Sequence, residues 1–215
     1  MRQTPGPHWL LLILAGAVGL VGYFGPWVPH RAAGLVILGL DLAEYVKFLP
    51  EVASGQIAIR RELFYLPLVA ASLSASLLAG RRRLPRWSRV LLALAAIPLA
   101  LAMLPPAWSP AALILPEFRL QALAIAVCLG MIPAVLITRY LPNRLVLALI
   151  ALLAVAAAIL PAWGFRQVLP AITVLYRQPL VPGWGFWAAL VGQLAVAVIA
   201  TAEIIRRSRG PRVRV

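Results

Sequence analysis

Apolar residues along this chain gather into six runs, and arginine, proline and tryptophan crowd the segments between them. The runs lie near 9–28, 63–80, 90–108, 120–138, 145–163 and 184–204. Each approaches the roughly 20 residues an α-helix needs to cross the hydrocarbon core of a bilayer. The pattern predicts an all-α integral membrane protein, a single domain over 1–215, with six transmembrane helices folded as three out-and-back hairpins. The first run begins at Trp9 and continues to Phe24, behaviour of a retained span more than of a cleaved signal peptide.

Charge orients these spans. The stretch Arg81-Arg82-Arg83-Leu84-Pro85-Arg86-Trp87-Ser88-Arg89 puts five arginines into nine residues between two apolar runs. A charge at the centre of a bilayer costs several kcal/mol, so this loop stays in water. Positively charged loops face the cytoplasm. The turn bearing Arg139 and Arg144, the N-terminal Arg2, and the tail with Arg206, Arg207, Arg209, Arg212 and Arg214 then share that side. Thirteen of the 20 basic residues fall there with one acid, Glu203, while the other seven basic residues and five acids fall outside. The expected location is the cell (inner) membrane with both termini cytoplasmic. Arg81, Arg82, Arg83, Arg86, Arg89, Arg206 and Arg207 are expected to set topology and touch anionic lipid.

Punctuation at the outer ends repeats. Gly25-Pro26-Trp27-Val28-Pro29, Pro105-Pro106-Ala107-Trp108 and Pro161-Ala162-Trp163 each combine a helix stop with a headgroup-level tryptophan. No repeat aligns beyond this, so an inverted-repeat transporter lacks support. The residues after Trp163, over 164–183, read as an ordered outer loop, and Pro67, Pro98 and Pro133 as kinks inside spans.

The long outer segment 29–62 is largely apolar from Ala32 to Leu49 but carries Asp41, Glu44 and Lys47, with Glu51 following. Asp41, Glu44, Phe48 and Glu51 recur at three- and four-residue steps, which predicts an amphipathic helix near 32–50 lying on the outer surface. His30, Arg31, Asp41 and Glu44 are candidate contacts for a polar headgroup, a cation or a partner; simple solvation of these charges is the competing account. Within the spans, Ser72, Ser76 and Gly80 share one face, as do Ala71, Ala75 and Ala79. Such faces allow close packing, within the chain or against another subunit. Gln193, midway along the sixth span, bonds a neighbouring helix or contacts a substrate. Glu203 pairs with Arg206 and Arg207 at i+3 and i+4. Gln121 and Arg119, at a helix end, call for no special account.

Composition adds exclusions. The chain is 63% hydrophobic and 12% charged, with a mean hydropathy of +0.93, against about 45–50% and about 25% in soluble domains. Its net charge of +14 sits at span ends, which argues against nucleic acid as a partner. The two histidines, His8 and His30, are expected on opposite sides of the membrane, so one chain cannot hold a bis-histidine haem. No metal-ligand spacing and no Walker-type loop occurs. The single cysteine, Cys128, lies in an apolar run and reads as a small hydrophobe.

No cofactor is expected from the sequence, although an apolar one such as a lipid, quinone or carotenoid is held by shape and leaves almost no signature. The reading favoured is a non-catalytic membrane subunit: a scaffold, anchor or accessory chain whose partners are membrane lipid and other membrane protein subunits. The alternative is a transporter or substrate-binding component for a small lipophilic ligand. A third is a membrane enzyme with an outer interfacial site at Asp41, Glu44 and His30, which lack a recognisable catalytic arrangement.

Overall fold

A computed structural model describes residues 7–105 and 108–208. Arg2, the Pro106-Ala107 pair and the tail arginines Arg209, Arg212 and Arg214 lie outside the described residues. The chain is all-α, 76% helical. Six long helices carry it: α1 (Pro7–Tyr23), then, after two one-turn helices α2 (Leu42–Tyr45) and α3 (Pro50–Ala53), α4 (Leu66–Ala79) and α5 (Arg86–Leu101). A further short helix α6 (Pro110–Ile114) precedes α7 (Arg119–Thr138), α8 (Asn143–Tyr176) and α9 (Trp184–Ser208). A small antiparallel pairing of β1 (Pro26–Val28) with β2 (Ile37–Leu38) follows α1.

Among the described residues, four segments are long and apolar enough to cross a membrane: Arg61–Ala79, Pro116–Thr138, Asn143–Tyr176 and Trp184–Ser208. α1, at 17 residues, and α5, at 16, are shorter. Side-chain contacts fix the directions of all six long helices. Ser72 Oγ donates to the Ala96 carbonyl and Arg89 Nε to the Ala79 carbonyl, so α4 and α5 run antiparallel. Arg81, just past α4, bonds to Thr138 at the end of α7 and to Asn143 at the start of α8; Arg144 reaches the Arg207 carbonyl from α8 to α9, and Arg207 approaches His8 from α9 to α1. The starts of α1, α5 and α8 therefore meet the ends of α4, α7 and α9 at one end of the bundle, here the basic end. The other is the cap end.

The closest pairing joins α1 to α9, because glycine lets their backbones touch. A Cβ at Gly22 would lie 2.1 Å from the Ala189 nitrogen, and one at Gly192 would lie 2.3 Å from the Gly19 nitrogen. Small residues facing each other across a helix pair permit this approach. α7 is peripheral, with only 17% of its apolar window buried inside the chain.

Three sequence expectations need correction. First, 32–50 is not one amphipathic helix. It folds as a 3-10 turn over Ala33–Leu35, strand β2, the single turn α2, a 3-10 turn over Val46–Phe48 and the single turn α3. The steps of Asp41, Glu44, Phe48 and Glu51 fit a helix, but burial of Ile37, Leu42, Ala43, Val46 and Leu49 sets the path of the backbone. Gly34, Gly39 and Pro50 interrupt any longer helix. Second, the fifth helix does not stop at Pro161 and 164–183 is not all loop. α8 runs through Pro161 and Pro170 for 34 residues, about 51 Å at 1.5 Å per residue. It ends where Arg177 turns left-handed, at φ 52°. A proline in an apolar helix is accommodated when neighbouring helices pack over the break, and Pro161 is buried. Third, Pro67 lies in the first turn of α4, where the missing N–H leaves no bond broken, instead of inside the helix as a kink.

The cap end is closed by the segment from Pro26 to Tyr65. Trp27 of β1 meets Phe165 of α8 and Phe186 of α9 edge-on, with centroids 5.4 and 5.3 Å away, and its Nε1 donates to the Gly22 carbonyl at 3.2 Å. Val28, Ile37, Leu42, Ala43, Val46 and Leu49 complete a continuous apolar core beneath the cap. A second core at the basic end gathers Trp9, Leu77, Leu147 and Ile150.

Candidate functional site: the cap and its polar knot

α2 buries Leu42 and Ala43, which turns Glu44 sideways toward the 3-10 turn over Arg61–Tyr65. Glu44 Oε1 accepts from Arg61 Nη1 at 3.0 Å and from the Tyr65 hydroxyl at 3.0 Å, while Lys47 Nζ lies 2.7 Å from Oε2. Arg61 Nη2 continues to the Glu117 carbonyl at 3.0 Å and to Gln121 Oε1 at 3.3 Å, and its guanidinium lies 4.9 Å from the Phe118 ring centre. Gln121 Nε2 donates to the Tyr65 hydroxyl and to the Met103 carbonyl at the end of α5. One network thus ties α2, the start of α4, the end of α5 and the start of α7.

Burial alone pushes the Glu44 carboxyl upward. Hydrogen bonds from Lys47 and Tyr65 and the charges of Lys47 and Arg61 outweigh it, leaving Glu44 below the usual carboxylate range. A carboxylate so held is a weak proton acceptor at neutral pH. The arrangement fastens the cap.

Asp41 and His30 belong to a different place. They line a cleft of about 480 Å³ between the β2 strand and the end of α8, with Tyr45 and Tyr176. Asp41 Oδ2 accepts from the Leu38 backbone N–H at 3.3 Å, and His30 Nδ1 accepts from the Ala32 N–H at 3.0 Å. The His30 ring stands edge-on to Tyr176, centroids 5.5 Å apart, and Tyr176 donates to the Leu35 carbonyl at 2.9 Å. Burial, reinforced by the Tyr176 hydroxyl, pushes the Tyr45 phenol up to about 12. Arg31 is exposed on the far side of His30, beside Pro29 and Gln178. The structure therefore separates Glu44 from Asp41, which the sequence placed on one face.

At the basic end the arginines divide. Arg82, Arg83 and Arg86 are exposed and Arg89 is half-buried. Arg81 departs from the expectation of a fully solvated loop: it is 4% exposed and bonds to the Leu141 carbonyl, to Asn143 Oδ1 and to the Thr138 carbonyl. It ties the end of α4 to the turn between α7 and α8. Glu203 is chelated by Arg206 and Arg207 at 2.7–3.1 Å, and His8 Nδ1 lies 3.7 Å away.

Ser72, Ser76 and Gly80 face inward. Ser72 and Ser76 are fully buried, and a Cβ on Gly80 would lie 3.1 Å from Thr138 Oγ1 of α7. Gln193 is 5% exposed and lines a crevice of about 180 Å³ among α1, α4 and α5. Two residues escaped sequence reasoning. Gln121, read from the sequence as a helix-end residue, is 1% exposed and central to the knot, and Arg61 donates three of its hydrogen bonds. The signal available was weak: polar residues at a helix start whose partners lie 18, 56 and 60 residues away. No protein-family model matches the chain, and neither a curated protein nor a solved structure shows significant similarity to it.

Proposed function

We propose that this chain is a non-catalytic subunit of a larger membrane complex, crossing the membrane six times with both ends in the cytoplasm and offering its cap to a partner outside. The observation that carries the reading is the knot around Glu44. The cap's Glu44, Lys47, Arg61 and Tyr65 bond to one another and to Gln121, so they hold a surface in shape. A surface already rigid gives up less entropy when a partner docks. Phe48 stands on that surface 76% exposed with Lys47 Nζ 5.2 Å from its ring centre, and aromatic side chains are enriched at protein contacts.

The topology follows from charge and length. Arg82, Arg83 and Arg86, exposed at the basic end, favour the cytoplasmic side and anionic headgroups. α1 and α5 reach about 24–26 Å at 1.5 Å per residue, a few ångströms short of a hydrocarbon core of about 30 Å. Local thinning and flanking residues cover such a mismatch at modest cost.

The test is purification from native membrane in mild detergent, with mass spectrometry of what co-elutes. A stoichiometric protein partner whose recovery falls with Phe48→Ser, at unchanged chain abundance, is the expected result. A chain that elutes alone overturns the reading.

A further inference from the structure

The crevice at Gln193 is lined mainly by α1, α4 and α5, with Ile150 of α8 and Val196 of α9. Small residues open it: Gly16 and Ala17 on α1, Ala71 and Ala75 on α4, Ala95 on α5. A Cβ at Gly16 would meet nothing within 4 Å. Gln193, from α9 behind, is the one carboxamide in this apolar lining; the half-buried Ser74 hydroxyl is also there. Gln193 hydrogen-bonds to no described residue although it is 5% exposed. Buried amides are almost always bonded, because leaving one unpaired in an apolar setting costs stability.

Depth narrows what could pair with it. Gln193 lies nine residues after Trp184 and thirteen before Arg206, about 14 and 20 Å along the helix at 1.5 Å per residue. In the six-crossing topology proposed above, that places the carboxamide near mid-membrane. The ester carbonyls of glycerolipids stay at the headgroup boundary and do not reach it. The partner must bring its oxygen into the hydrocarbon core.

We propose that this crevice is a binding site for an elongated lipid-soluble molecule of the quinone class, whose ring carbonyl accepts a hydrogen bond from the Gln193 carboxamide while its tail lies along the small-residue wall of α4. This goes beyond the subunit reading, which needs no ligand, and it survives if no protein partner is found.

The experiment uses the full chain in lipid nanodiscs, a decyl-substituted benzoquinone, and decylbenzene as the counterpart of similar shape without oxygen. The quinone is expected to bind at one per chain, with decylbenzene weaker by about tenfold, the worth of one buried hydrogen bond. Gln193→Leu should erase the difference between the two. Gly16→Leu, which enters open space and leaves the α1–α9 contact intact, should weaken both by filling the crevice. Equal binding of the two probes, no quinone binding, or quinone binding unchanged in Gln193→Leu or Gly16→Leu overturns the proposal.

Discussion

Replacing Gln121 with Leu removes the centre of the cap network from a position that is 1% exposed. Its three partners fare differently. Arg61 keeps Glu44 and the Glu117 carbonyl, and Tyr65 keeps Glu44 as acceptor. The Met103 carbonyl, on a residue with no solvent exposure, loses the donor that Gln121 supplies. An orphaned buried acceptor costs about 1–3 kcal/mol, and each weakened neighbouring bond costs about 0.5–1.5 kcal/mol, offset in part by the apolar leucine. The net loss expected is about 2–3 kcal/mol, or a fall of roughly 4–12 °C in the unfolding midpoint for a chain of this size. Thermal unfolding in detergent micelles, followed by the loss of helical circular dichroism, measures it. Tyr65→Phe shares one hydrogen bond with Gln121→Leu, so the double variant should lose about 0.5–1.5 kcal/mol less than the sum of the two. A Gln121→Leu protein as stable as the parent, or strict additivity in the double variant, would refute the account of the knot.

Other positions give sharper contrasts. Gly22→Ala drives a Cβ onto the α9 backbone and should destabilise by about 1–3 kcal/mol or more, whereas Gly130→Ala enters open space on α7 and should stay within about 0.5 kcal/mol of the parent in the same assay. The Tyr23 hydroxyl is buried with no partner among the described residues, so Tyr23→Phe should leave the midpoint unchanged or raise it; a clear fall would reveal a bond to that oxygen. Glu44 is held below its ordinary range, so its stabilisation is full at neutral pH and is lost as pH drops through its folded-state value. Between neutral pH and about pH 3 the parent should therefore lose more stability than Glu44→Gln, and parallel pH profiles would contradict the assignment.

The long helices were legible in the sequence because apolar runs of spanning length, bounded by arginine and tryptophan, have few other physical outcomes. What misled was local punctuation. Pro161-Ala162-Trp163 resembles a helix stop, yet packing over the buried Pro161 lets α8 continue to Tyr176. In the cap, Asp41, Glu44, Phe48 and Glu51 keep a helical spacing, and so do the buried Leu42, Ala43, Val46 and Leu49, yet the segment folds as short turns because Gly34, Gly39 and Pro50 interrupt it. Arg81 reads in the sequence as one of the topology arginines, but its burial against the Leu141 and Thr138 carbonyls depends on how α7 and α8 pack beside α4, which charge counting does not register. Gln121 shows the limit: a polar residue beside an apolar run announces that something must satisfy it, while the partners, here Arg61, Tyr65 and Met103, are set by the fold.

The proposed topology puts the cap outside and the arginine-rich end in the cytoplasm. Cysteine labelling tests this directly, in a background where the buried Cys128 is replaced by Ala. Single cysteines at the exposed Gln56 on the cap and the exposed Trp87 at the basic end are treated with a membrane-impermeant maleimide in intact cells. Gln56→Cys is expected to be labelled at once and Trp87→Cys only after permeabilisation. Labelling of both from the same side, or the reverse pattern, would contradict it.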